Sequence, residues 1–174
     1  MITVTYNGTY PKITEAADFA NQLLHSQELY DAIKANAFTH TTYTPHAVAT
    51  AIQNCHKTLQ IRTYRPRWVF SKANAYVTLA HPLTIFLNSR KLWRSCGSIV
   101  NTLVHECVHI ADYGDDPHGQ INFGHGDNSY SNAKDSSAPY WIGKWAETHL
   151  HQLVDGTEDE EIAERDFNPE LADK

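Results

Sequence analysis

The spacing of hydrophobic residues changes period along the chain, and the changes divide it into elements. "MITVTY" alternates as a short strand does and runs into an Asn-Gly turn. "ITEAADFANQLLHSQELYDAIKAN" places Ala17, Ala20, Leu24, Leu29 and Ile33 at helical intervals and predicts one or two helices, with Thr14 as a cap. "TPHAVATAIQNCHKTL" predicts another helix, with Pro45 in its first turn. The texture then shifts: "LQIRTYRPRWVF", "NAYVTLA" and "LTIFLNSRKL" are short and rich in β-branched and aromatic residues, as strands are. Pro66 and Pro82 are expected at edges or turns.

The strongest helix signal is "IVNTLVHECVHIADYG", where Ile99, Leu103, Cys107 and Ile110 form an apolar stripe. Ser98 is the expected N-cap and Gly114 the expected stop. Residues 114–139 carry Gly114, Gly119, Gly124, Gly126, Pro117 and Pro139 among polar side chains. A loop of that length in a small domain points to a functional one. "YWIGKWAETHLHQLV" predicts a closing helix. The expectation is therefore an α+β fold: one domain over residues 1–154, with N-terminal helices, a small mixed sheet, a central helix and a closing helix, then a flexible tail over 155–174.

Composition narrows the class without naming a function. A chain of 174 residues, 41% hydrophobic and 20% charged, is long enough for one well-buried core. No apolar run approaches the roughly eighteen residues that a membrane-spanning helix needs. "MITVTYNGTYPKITEAADF" has neither a basic start nor an apolar h-region, so the expected location is the cytoplasm, or outside it by a route that leaves no such mark. The three cysteines form no C-x-x-C pair and are odd in number; they are expected reduced, two or more of them buried.

Charge is unevenly spread. The last twenty residues hold nine acids and two bases, whereas no acid occurs between Asp31 and Glu106, a stretch with nine bases. Such a stretch either marks an anionic partner or faces acidic segments within the fold; the second is the expectation.

The chemistry concentrates in "HECVH". Residues i and i+4 of a helix share a face, so His105 and His109 can turn both imidazoles toward one ion. Glu106 then sits beside that ion without binding it, where a carboxylate can act as general base. Chance alone yields H-E-x-x-H in roughly one chain in thirty of this composition. What strengthens the match is its place on a well-marked helix directly after a strand-like segment. The bland alternative is a histidine pair that merely packs on a helix face.

"LTIFLNSRKL…IVNTLVHECVH" resembles the strand and active-site helix of the zincin zinc metallopeptidases. The resemblance covers about residues 60–145. It implies Zn2+ as cofactor, His105 and His109 as the first two ligands, Glu106 as general base and a sheet edge bordering the substrate cleft. For the third ligand, the metzincin pattern would want a glycine where Asp112 stands and a ligand where Asp115 stands. His125, flanked by Gly124 and Gly126, resembles the metzincin glycine–histidine element displaced by a loop insertion, and is the favoured third ligand. Glu147 is the runner-up, by similarity to the gluzincin pattern, and His118 and Asp115 follow. His149 and His151 are expected only to decorate the closing helix. By resemblance Tyr140 could donate to a developing oxyanion, although a tyrosine is more commonly packed. Asp112 could orient a ligand imidazole or face solvent.

The expected function is a zinc-dependent metallohydrolase, in the first place a peptidase acting on a protein or peptide, with no membrane partner. Two alternatives stay open. One is a nucleic-acid-associated protein, motivated by the basic stretch but accompanied by no nucleic-acid motif. The other is an inactive metal-binding or interaction module on a zincin fold, which would have no use for Glu106.

Overall fold

Capping chemistry sets where the helices begin. The computed structural model describes residues 1–67, 73–78, 80–113, 122–124 and 136–154, with side chains described as far as 150. Ser26 Oγ accepts from Leu29 N and starts α2 (Gln27–Ala35), while Thr44 Oγ1 accepts from Ala47 N and starts α3 (Pro45–Asn54). The long N-terminal helical stretch is thus two helices, broken at His25 and Ser26. Helix α1 (Pro11–Leu24) begins earlier than Thr14, because Pro11 is preset for the first helical position and loses no hydrogen bond there. The motif helix α4 (Cys96–Tyr113) likewise begins ahead of Ser98: Ser95 Oγ takes the Ser98 N–H, so Ser95 is the cap. The closing helix α5 (Ala138–Val154) starts two residues before Tyr140, its first turn anchored by Trp141 N donating to Ser137 O. Gly114 and residues 155–174 lie outside the described residues.

The strands are β1 (Thr3–Tyr6), β2 (Thr58–Tyr64), β3 (Ala75–Thr78) and β4 (His81–Asn88). They form one mixed sheet in the order β1-β2-β4-β3, parallel except for the antiparallel β3–β4 pair. Pro82 sits at the start of β4, before the β2–β4 pairing begins at Thr84, so it costs that ladder no hydrogen bond. Register follows the period of two. Val4 pairs with Leu59 and Ile61 with Ile85, and all four are buried on the face that meets the helices. The free edge of β1 is covered from α1, where the Asn21 amide accepts from Val4 N and donates to Val4 O.

Helix α4 is central, packed against both α1 and α5. Its stripe, Ile99, Leu103, Cys107 and Ile110, is buried as the spacing requires. Gly143 allows the close crossing with α5: a Cβ there would meet Asn101 O at 2.8 Å. The three cysteines form no disulfide, and Cys55 and Cys107 are buried. The described residues thus make a mixed α+β fold of five helices and four strands, and none of its helices is long and apolar enough to cross a membrane.

Candidate functional site

Two turns of α4 present His105, Glu106 and His109 to a cavity of about 740 Å3. The two histidines are half-buried, and their Nε2 atoms approach to 3.2 Å. That spacing suits a shared ion: two nitrogens held about 2.0–2.1 Å from one tetrahedral Zn2+ stand roughly 3.3 Å apart. The ring planes cross at 70°. Glu106 is half-buried beside them, and burial pushes its carboxyl up to about 7. A carboxyl poised there can take and return a proton near neutral pH.

Three other parts of the fold complete the cavity. The edge strand β3 lines one side through Ala75, Tyr76 and Val77. It is positioned by the buried Asn88, whose backbone N–H donates to Asn74 O and whose amide donates to Ala73 O. Tyr140, from the first turn of α5, also lines the cavity, its ring centroid 4.6 Å from that of His105. The structure thus brings Tyr140 to the two histidines and Glu106.

Asp112 has a different role from either one expected. It is buried at 7% exposure, and its carboxylate accepts from Asn122 N at 2.8 and 3.1 Å and from Phe123 N at 3.1 Å. Burial raises its pKa, and the same backbone donors draw it back down. The segment is fixed from a second side, because Asn122 O accepts from Thr41 Oγ1 at 2.8 Å and from Thr42 N at 3.2 Å. Phe123 is buried against Tyr43. Gly124 is thereby set into the cavity wall.

His125, the next residue, lies outside the described residues, as do Asp115 and His118. Among the described residues, no third His, Cys, Asp or Glu gathers with His105 and His109 into a metal-binding group. This separates Glu147 from the pair: its Oε2 accepts from Asn101 Nδ2 at 2.9 Å and Lys144 Nζ at 3.0 Å. His149 is half-buried, stacks on Trp145 with centroids 3.5 Å apart and reaches Glu28 of α2 at 3.5 Å.

Two residues of the cavity wall are not tied to the histidine motif by the sequence pattern. His40 sits in the loop between α2 and α3 with φ 55°, the left-handed region that few side chains enter. Arg94 precedes α4 and folds back along it. Neither stands at a fixed distance from the histidine motif, so only the folded chain brings them to it. Comparison of the chain with protein-family models, with curated proteins and with solved structures gives no match.

Proposed function

We propose that the protein is a zinc-dependent hydrolase acting on peptide bonds, with His105, Glu106 and His109 as its centre. The supporting observation is the pair of Nε2 atoms 3.2 Å apart, in a cavity that also receives a half-buried carboxyl and a tyrosine. His105 and His109 would hold the ion, with His125 as the third ligand by the zincin resemblance. When bound, Zn2+ would supply a Lewis acid for the carbonyl and acidify a water to a pKa of about 7.

The chain's own groups divide the remaining work. Glu106 takes the proton of the attacking water and returns it to the leaving amine. Tyr140, against His105, donates its hydroxyl to the oxygen on which charge develops. An extended substrate lies along β3, adding a strand to the sheet edge that borders the cavity. Glu106 distinguishes this function from a purely structural metal site, which has no need of a base held next to the ligands.

The test is Glu106→Gln in the zinc-loaded protein. We expect zinc content to be kept and peptide hydrolysis to fall by about 100- to 10,000-fold, the worth of a general base. Undiminished hydrolysis in that variant would remove Glu106 from the mechanism.

A further inference from the structure

Arg94 is the cavity residue that this chemistry does not use. Its Nε donates to Lys91 O at 3.1 Å, and its Nη1 reaches Ser98 O at 3.1 Å, Ser98 Oγ at 3.2 Å and Thr102 Oγ1 at 2.9 Å. Those bonds hold the guanidinium against the first turns of α4. Thr102 lies one turn before Glu106, so the charge is fixed beside the turn that carries the reacting groups.

Its remaining nitrogen is unsatisfied. Nη2 is sealed from solvent and has no acceptor among the described residues. A buried guanidinium N–H without an acceptor is costly and rare in folded proteins. Glu147 is near enough to act on the charge of Arg94, but its Oε2 is held by Asn101 and Lys144. Histidines aside, Arg94 and Glu106 are the only charged side chains among the described residues lining the cavity. Strand β3 and the first turns of α4 come from the stretch without a single acid, so neither segment contributes a carboxylate of its own to the cavity wall.

Building on the hydrolase proposed above, we infer that Arg94 determines specificity by receiving a carboxylate of the substrate. One helical turn is about 5.4 Å, and an extended peptide advances about 3.4 Å per residue, which places that carboxylate within two residues of the cleaved bond. It is either the free C-terminus of the substrate or an Asp or Glu side chain. Because Nη2 is sealed, reaching it requires the cavity wall to shift outward, and a charge-assisted hydrogen bond offsets the cost of that shift.

Three N-blocked peptides of one sequence test this with the zinc-loaded protein. One ends in a carboxylate, one in an amide, and one in an amide with Glu next to the cleaved bond. We expect kcat/KM to favour at least one carboxylate-bearing peptide over the neutral amide by about tenfold or more; which one identifies the source of the carboxylate. In Arg94→Gln the ratio should collapse to within about twofold. Being a ratio, it does not depend on the fraction of protein that is folded. Should that variant fail to fold, Arg94→Lys, which keeps the charge but not Nη2, should lower the ratio at least threefold. Cleavage of the neutral peptide with no preference, or a preference that survives in the variants, overturns the inference alone. If no peptide is cleaved, the hydrolase fails instead. Calorimetric binding of the same peptides to wild type and Arg94→Gln then decides the carboxylate site, and equal binding of acidic and neutral peptides to wild type overturns it.

Discussion

The Asp112 carboxylate receives the backbone N–H of Phe123 at 3.1 Å, joining the last turn of the motif helix to a chain segment eleven residues further on. Asn122 N binds the same carboxylate, so a single side chain satisfies two consecutive backbone donors. A segment without regular structure is thereby set against the helix within one turn of His109, and Gly124 enters the cavity wall.

Removing that acceptor orphans both donors. Asp112→Ala is expected to destabilise the protein by about 2–4 kcal/mol, since each buried unpaired donor costs roughly 1–3 kcal/mol. Asp112→Asn keeps one carbonyl oxygen and should cost less than half as much. Urea unfolding midpoints measure both. If His125 is the third ligand, zinc affinity falls together with stability in Asp112→Ala; unchanged affinity would separate the segment from the metal site.

Glu106 provides a pH marker. Its carboxyl is raised by burial to about 7, so folding favours its protonated form. In the metal-free protein, that contribution to stability is complete below about pH 4.5, the ordinary value of the group, and is lost as pH rises through about 7. A 13C carboxyl titration of the metal-free protein should show one glutamate with a midpoint near 7, missing in Glu106→Gln. Added Zn2+ should move that midpoint downward, because a nearby cation favours the carboxylate.

Gly143→Ala tests the crossing of α4 and α5. The added methyl would stand 2.8 Å from the backbone oxygen of Asn101, an atom that cannot swing aside. We expect a loss of about 1–3 kcal/mol, although alanine is the better helix former. Asn101 also holds Glu147, so the helices should part where that pair lies. A thermal midpoint unchanged or raised would show that the helices separate without strain.

Tyr30 should govern the alkaline limit. It is 2% exposed, its hydroxyl donates to Leu24 O, and burial pushes its pKa up to about 12. Folding thus favours the neutral phenol. That stabilisation is intact below pH 10 and disappears as pH climbs toward 12, a loss of order 2 kcal/mol. Tyr30→Phe should cost about 1 kcal/mol at neutral pH and flatten the alkaline fall. Denaturant midpoints between pH 9 and 12 measure the difference.

Local chemistry is what the amino-acid sequence determined unaided. The pairing of His105 with His109 rests on a four-residue spacing inside one helix, and the strands on short runs of β-branched and aromatic residues; neither needs a distant partner to be read. Helix starts were less legible, because Thr14 and Ser98 are good caps in isolation while Pro11 and Ser95 act one turn or less ahead of them. Tertiary structure alone decided the strand order with β3 at the edge and the approach of Tyr140 to His105. It also decided the grip of Asp112 on Asn122 and Phe123, and the turning of Arg94 onto Thr102. The reason is physical. A buried carboxylate or guanidinium takes whichever donors or acceptors packing delivers to it, and packing is settled by apolar surfaces far apart in the chain. The helix face was written in five residues, whereas the wall around it required the whole fold.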